Sequence, residues 1–531
     1  MPNTRLPAMS KQTLIGLGLF LFGIYAAWEI GSIIVAQDLR SIAFIAMFIV
    51  AFAMAITILR DWRLGLYFFL VWLLFEDLAR KHLGNNIVIY FAKDILVGLV
   101  YISLYIEIRN GRAKTFRPPF LLCLSLFLWL GVLEIFNSNS PNVLYGLMGF
   151  KLYFYYIPLI FVGYAAIRND EDLRKFLVTN GILAGAISVV GIIQAIVGNS
   201  FLNPTNLAPE LRDLGNLEKI TPLTHQLFSL PASVFVSSGR FALYLIFAAI
   251  LSMGSAGYLL LHTKRSRRII YLVFALIGVA TVLSGSRGAV VNVTASALIL
   301  SVGFLWGAPW HRQRADRMGK AIRRSAMAAS FGLAALLLLF PNEAGSRIAY
   351  YAETLLPTSS AYQASFRSWD YPIWNLELAL TNPNWVLGNG IGTASLGTQY
   401  VARAIGESAP NIAVEEGFGT MIVEMGILAP FLWVLWSAAL LLSCWRVVRR
   451  LRETRFFPIG LAILWYAFLL LIPLTFGSLN SFQNYISNVY LWLMVGILFR
   501  LPTLLPNPAP HPVEASSRAV SPETVPDRVF S

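Results

Sequence analysis

Apolar runs long enough to cross a bilayer follow one another along almost the whole of this chain. In hydrocarbon the backbone finds no water, so a crossing segment must satisfy its own N–H and C=O groups, as a helix does. About 20 apolar residues are needed. Fourteen runs meet or approach that length: 13–35, 41–60, 63–79, 86–107, 118–137, 142–167, 175–198, 240–262, 268–285, 288–306, 325–340, 417–443, 456–476 and 483–501. Apolar residues make up 57% of the 531 and charged residues 13%, a balance that a polytopic membrane protein needs and a soluble domain does not. The expected fold class is therefore an all-α polytopic membrane protein of about 14 transmembrane helices. The first run lacks the small-residue cleavage pattern of a signal peptide and reads as a retained helix.

Charge placement orients these runs. With a cytoplasmic N-terminus, the inward loops collect most of the 41 basic residues, notably at Arg109–Arg117, Lys264–Arg268, Arg312–Arg324 and Arg446–Arg455. That is the positive-inside pattern, and it puts both termini in the cytoplasm. The net charge of +14 is then mostly a topology signal, with attraction to anionic membrane lipids as an accompaniment; no nucleic-acid partner is expected. Cys123 and Cys444 both lie in apolar runs and read as packing residues, too few for a disulfide framework or a zinc site.

The pattern divides the chain into a cytoplasmic N-terminus (1–12), N-terminal spans (13–198), an outer loop (199–239), spans around Ser284-Gly285-Ser286-Arg287-Gly288 (240–340), a large outer loop between the eleventh and twelfth spans (341–416), C-terminal spans (417–501) and a Pro- and Ser-rich cytoplasmic tail (502–531). The tail reads as disordered. The large loop is too aromatic for that, and is expected to form a cap with one or two helices, its turns marked by Pro383 and glycines 388, 390 and 392.

Arginine near membrane depth is costly and usually marks function. Arg240, Arg287 and Arg367 all fall at the outer side, near helix mouths or in the large loop. Guanidinium groups bind phosphate bidentately and stay charged, so a diphosphate at the membrane surface is the natural ligand; the plainer alternative is snorkelling to lipid headgroups. Glu415 and Glu416 precede the twelfth run, where a carboxylate in apolar surroundings can act as a general base or simply favour a helix N-terminus. Glu424 lies further in and needs a partner. Lys151, in the sixth run, is expected to approach the same cavity or to pair with Glu134. Lys93 and Asp94 are neighbours in sequence, do not face each other on a helix, and each need another partner. Gly388-Asn389-Gly390-Ile391-Gly392 lacks the strand and helix of a nucleotide loop. The five histidines show no metal spacing.

The C-terminal half resembles the O-antigen ligase and O-antigen polymerase superfamily of bacterial envelope enzymes. The resemblance rests on Ser238-Gly239-Arg240-Phe241 opening a helix, Leu283-Ser284-Gly285-Ser286-Arg287-Gly288-Ala289, then Phe366-Arg367-Ser368-Trp369 and Leu387-Gly388-Asn389-Gly390-Ile391-Gly392 in a large outer loop, and Val423-Glu424-Met425-Gly426-Ile427-Leu428. It covers about residues 238–430. It implies a GT-C-like glycosyltransferase of the bacterial inner membrane that takes undecaprenyl-diphosphate-linked oligosaccharide as donor, with no cofactor and no obligatory metal. Arg240 and Arg287 would then grip the donor diphosphate. Ligases of this family carry a His-Asn pair about nine residues before the Glu-x-Gly; here Val414-Glu415-Glu416-Gly417 stands there, without histidine. The departure tilts the expectation towards a polysaccharide polymerase in which Glu415 or Glu416 is the base and Arg367, Trp369 and Lys151 hold substrate. A flippase and a chain-length regulator of the same pathway are the implied partners. The competing readings are a ligase or an O-oligosaccharyltransferase using the same donor, and a flippase of lipid-linked oligosaccharide.

Overall fold

The computed structural model describes residues 52–505, apart from 86, 205–210, 212–216, 263–266, 308–311, 411, 413, 415 and 416. The expected N-terminal segment 1–12, the first expected span, most of the second, the tail from 506 onward and both Glu415 and Glu416 lie outside the described residues, while Leu501–Leu504 form a 3-10 turn. The chain is about 75% helical, and eight of its described helical units are long and apolar enough to cross a membrane. It has the build of a multi-pass, all-α membrane protein.

In order, the helices are α1 Trp62–Leu83, α2 Ile87–Arg109, α3 Leu121–Ile135, α4 Val143–Phe154, α5 Leu159–Ala166 and α6 Asp170–Val197. The loop that follows α6 holds an antiparallel hairpin, β1 Glu218–Ile220 and β2 Leu227–Ser229, with Lys219 opposite Phe228. Then come α7 Ser238–His262, α8 Arg267–Leu283, α9 Arg287–Gly307 and α10 Arg312–Leu339. The large loop carries α11 Pro341–Leu355, a π-helical turn Phe366–Asp370, α12 Tyr371–Leu380 and α13 Thr398–Ile405, one α-helix more than its sequence led us to expect. The chain closes with α14 Gly417–Met425, α15 Leu428–Arg450, α16 Phe457–Leu469 and α17 Tyr485–Arg500.

Three runs that read as single spans are interrupted. The run 142–167 breaks between α4 and α5, where Pro158 cannot donate a helical hydrogen bond. The run 417–443 breaks at Gly426, whose φ of +73° ends α14 and redirects the chain into α15. The run 456–476 passes through a π-helical turn, Leu470–Leu474, around Pro473. Hydropathy over a window of about 20 residues registers none of these breaks, because the side chains on either side are equally apolar.

The core sits around α17, buried on nearly every face. Its closest neighbour is α5, and glycines allow the approach. A Cβ on Gly163 would stand 2.1 Å from the Leu493 carbonyl oxygen, and one on Gly496 would stand 2.0 Å from that of Ile160. In lipid, where helices gain no hydrophobic drive towards each other, such small-residue contacts carry much of the packing. Gly163→Ala must push two backbones apart, and overpacking of this kind costs roughly 1–3 kcal/mol. We expect a lower unfolding midpoint for Gly163→Ala in detergent, and an equal or slightly higher one for Gly181→Ala, where nothing stands within 4 Å and alanine favours the helix. Equal midpoints for the two variants would remove α5–α17 contact as a determinant of stability.

The hairpin is pinned to α11 by Glu353. Its carboxylate accepts from the Leu223 N–H at 2.7 Å, from the Thr224 N–H at 3.2 Å and from the Thr224 hydroxyl at 2.8 Å. Desolvation opposes its ionisation, but these three donors outweigh that and hold its pKa below the ordinary value for glutamate. A depressed folded-state pKa gives stability that is complete above the unfolded value, about 4.3, and is lost as pH falls through the folded one. Wild type should therefore exceed Glu353→Gln in unfolding midpoint at neutral pH, with the gap closing below about pH 4. A gap independent of pH would mean that the hydrogen bonds need no charge.

Candidate functional site

Helix α1 places four ionisable residues on one face: Glu76, Asp77, Arg80 and Lys81, spaced by a helical turn. All four are buried. A buried charge must be paired, and Asp77 does most of the pairing here. Arg240, in the first turn of α7, donates from Nη1 to both Asp77 oxygens at 2.8 Å. Arg80 donates to Asp77 Oδ1 at 3.1 Å, and the Val236 N–H donates to Oδ2 at 3.2 Å. The remaining Arg80 donors reach Asn85 Oδ1, at 2.7 and 3.1 Å, and the Tyr400 hydroxyl at 2.6 Å.

A second layer comes from α2 and α4. Lys93 Nζ bonds Glu76 Oε1 at 3.0 Å and the Tyr90 carbonyl. Lys151 pairs with Asp94 at 2.6 Å, and the Tyr156 hydroxyl donates to Asp94 at 2.6 Å. This corrects the expectation that Lys151 pairs with Glu134: that carboxylate accepts from Asn137 Nδ2 at 2.6 Å instead. Two tyrosines join the layers. Lys93, Lys151 and Arg80 lie 4.0, 4.6 and 5.2 Å from the Tyr90 ring centroid, and Lys93 and Arg240 lie 4.7 and 5.0 Å from that of Tyr485. Cations at such distances are attracted to the ring face.

The network therefore gathers Arg80, Lys81, Lys93, Lys151 and Arg240 against Glu76, Asp77 and Asp94, an excess of positive charge. Lys81 shows the excess most plainly: its Nζ donates to the Ser233 carbonyl at 3.3 Å and forms no ion pair with a described carboxylate. Arg240 and Lys151 are the least enclosed cations of the five, their side chains 15% and 13% exposed. The arrangement can accept an anion at that edge.

Arg287 opens α9 after a tight turn. Gly285, at φ +67°, passes so close to the hairpin that a Cβ would meet Leu230 at 2.4 Å and Phe228 at 2.9 Å. The Ser286 hydroxyl accepts from the Ala289 N–H at 3.3 Å and caps the helix. Arg287 does not enter the Asp77 network. Its Nη1 donates to Gln363 Oε1 at 2.9 Å, and its guanidinium lies 5.4 Å from the Tyr350 ring. The two arginines nevertheless start at one level. Helices α7 and α9 run parallel, with α8 returning between them, and Gly257 meets Phe304 equally far along the chain from each arginine.

Arg367 is exposed and lies 4.9 Å from the Tyr371 ring, its N–H donating to the Gln363 carbonyl at 3.0 Å. Gln363 thus links Arg287 to the π-helical turn. Trp369 is exposed on that turn, 5.6 Å from Phe476, whose ring is 5.8 Å from Phe418. A Cβ on Gly417 would stand 2.1 Å from the Phe476 carbonyl, so Trp369 belongs to the surroundings of the α14 N-terminus. Glu415 and Glu416 precede Gly417 outside the described residues.

Glu424 has a structural place. Its carboxylate accepts from the Ala394 N–H at 3.0 Å, the Ser395 hydroxyl at 2.5 Å and the Tyr153 hydroxyl at 2.9 Å, tying α14 to the loop and to α4. The glycine-rich segment before Ala394 threads between the same elements: Cβ atoms on Gly388 and Gly392 would stand 2.5 Å from the Glu424 carbonyl and 2.0 Å from that of Tyr145. Those glycines serve close packing.

Sequence reasoning missed Glu76, Asp77, Arg80 and Lys81. The signal was their turn-spaced repetition within an apolar helix, but the third run was drawn to stop before Arg80. Comparison of the chain with protein-family models, curated proteins and solved structures gives no match to any of them. Asp77→Asn leaves two enclosed guanidiniums short of their counter-charge. Breaking a buried pair costs about 3–5 kcal/mol, so we expect a lower unfolding midpoint, partly restored in Asp77→Asn/Arg240→Gln. A wild-type midpoint for Asp77→Asn would mean that the carboxylate does not balance the arginines.

Proposed function

We propose that this chain is a GT-C-like membrane glycosyltransferase with about fourteen spans, polymerising undecaprenyl-diphosphate-linked oligosaccharide repeats into surface polysaccharide at the periplasmic face of the bacterial inner membrane. The observation that carries the reading is the buried cation excess around Arg240, at the same level as Arg287. A donor diphosphate supplies the missing negative charge, and Arg240, Arg287 and Lys151 are its ligands.

In the proposed reaction an acceptor hydroxyl attacks the anomeric carbon of the donor sugar. The new glycosidic bond forms as the bond from that carbon to the diphosphate oxygen breaks, with inversion. The leaving diphosphate takes the electron pair, and the arginines stabilise the charge that builds on it. Glu415 or Glu416 takes the hydroxyl proton. Arg367 and Trp369 hold the glycan. A flippase delivering the donor and a chain-length regulator are the partners of this reading.

The test is a gel of surface glycan from a deletion strain complemented with wild type, Arg240→Ala, Arg287→Ala or Glu415→Gln at matched expression. Loss of one charge-stabilising group should slow the reaction about 10²–10³-fold. Wild type should restore a long ladder while each variant accumulates single lipid-linked repeats on the periplasmic side. Repeats trapped on the cytoplasmic side would favour a flippase. A full ladder left on its lipid carrier would favour a ligase or a protein-glycan transferase.

A further inference from the structure

Helices α6, α7 and α8 do not close on one another along their whole length. Near the start of α7 a Cβ on Gly191 of α6 would run into the Phe241 ring, so the two helices touch there. Towards the other end of α7 they part, and a cavity of about 170 Å³ lies between the three helices. Leu177 and Gly181 line it from α6, Leu251 and Leu259 from α7, and Ile270 and Val273 from α8. It is open on the α6 side. Val178 and Ile182, also in its wall, are 41% and 61% exposed, and a Cβ on Gly181 would meet nothing within 4 Å. Polar groups in the wall are spent inside the protein. Asn180 donates from Nδ2 to the Phe176 carbonyl at 2.9 Å, and its Oδ1 accepts from the Tyr490 hydroxyl at 2.7 Å. The Ser255 hydroxyl donates to the Leu251 carbonyl at 2.7 Å. A space with such walls stays dry and takes hydrocarbon: about 150 Å³ of it is enough for benzene.

The place of the groove selects the chain that fills it. A polyisoprenoid whose diphosphate sits at Arg240 is poorly placed, because the Gly191–Phe241 contact closes the α6–α7 seam between Arg240 and the groove. The lined stretch of α6, from Leu177 to Ala184, is about 10 Å long at 1.5 Å per residue. That fits within one leaflet, half of the ~30 Å hydrocarbon core. The far end of the groove is basic. Arg174 is exposed, stands one turn before Val178 and two before Gly181 on the same face of α6, and pairs with no described carboxylate. Lys264, Arg265, Arg267 and Arg268 join α7 to α8 at the same end, and Arg267 begins α8 one turn before Ile270. We propose that the groove holds part of an acyl chain of an anionic glycerophospholipid, with its phosphate at Arg174 and the start of α8. The lipid belongs to the leaflet that faces these basic residues and fills the gap where the three helices part. The inference does not depend on the glycosyltransferase reading.

Lipid retention is measured by native mass spectrometry on the full chain in detergent, with dioleoylphosphatidylglycerol, dioleoylphosphatidylcholine and undecaprenol as probes. Phosphatidylglycerol should be retained at least about fivefold tighter than phosphatidylcholine, and Arg174→Gln should erase most of that preference. Gly181→Phe, whose ring fills the groove, should weaken both phospholipids by a common factor. Its unfolding midpoint without added lipid should match wild type, since the new side chain enters open space. Should that variant prove unstable, Val178→Trp at the exposed mouth gives the same reading. Undecaprenol should respond to none of these substitutions. Equal retention of the two phospholipids, unchanged retention in the filled variants, or loss of undecaprenol in place of phospholipid would each overturn the assignment. The fate of the glycan ladder moves none of these readouts, so the two proposals fail separately.

Discussion

A carboxylate held between two guanidiniums fixes the geometry on which the rest of this protein depends. Asp77 receives Arg240 from α7 and Arg80 from its own helix, and none of the three can turn away without leaving a charge unpaired in a low-dielectric interior. The constraint propagates. Arg80 in turn fixes Asn85 and the Tyr400 hydroxyl on α13, so the cap and the spans are tied through one side chain. Lys93 and Lys151 extend the same balance to α2 and α4 through Glu76 and Asp94. Charge pairing therefore sets which helix ends meet, and packing fills in beneath.

That packing is achieved by backbone proximity. Gly163 and Gly496 bring α5 and α17 into contact at each other's carbonyls, and Gly388, Gly392 and Gly426 let the loop before α13 thread between α4 and α14. Glu424 then fastens the threaded segment. The interrupted span at Gly426 belongs to the same design: next to the break, the Val423 carbonyl of α14 accepts from the Asn389 N–H of the threaded loop at 2.8 Å and from its Nδ2 at 3.2 Å.

How much of this was legible in the sequence follows from which signals are local. Helical character, the α8–α9 turn at Ser284–Ser286 and the start of α7 at Ser238 all depend on short patterns, and they could be read. The hairpin could not, since β1 and β2 are three residues each and carry no period. The breaks near Pro158 and Pro473 were visible as residues, yet hydropathy outweighed them. Partner choice was the least readable. Lys151 seemed closest to Glu134 along the chain, but Asp94 on a neighbouring helix takes it, because pairing is decided by which faces the helices bury. Arg240, Arg287 and Arg367 could be singled out by type and depth; that Asp77 and Gln363 hold the first two could not.

The two arginines meet an incoming anion on different terms, and on the proposed reading this difference has a use. Arg240 already has a carboxylate at 2.8 Å, so any ligand there must either add to an electrostatically favoured cluster or compete with Asp77. A single weak anion gains little against such a partner, while a multiply charged diphosphate, drawing also on Lys81, which has no ion-pair partner among the described residues, and on Lys151, gains much more. Among the described residues Arg287 is held only by the neutral Gln363 amide and the Tyr350 ring, so it gives up little there when an anion arrives. Selectivity for the doubly charged group would then come from the guarded arginine, and ready capture from the open one. That selectivity depends on the Asp77 pairing being too strong for a monoanion to break, which is a property of burial and geometry rather than of Arg240 alone.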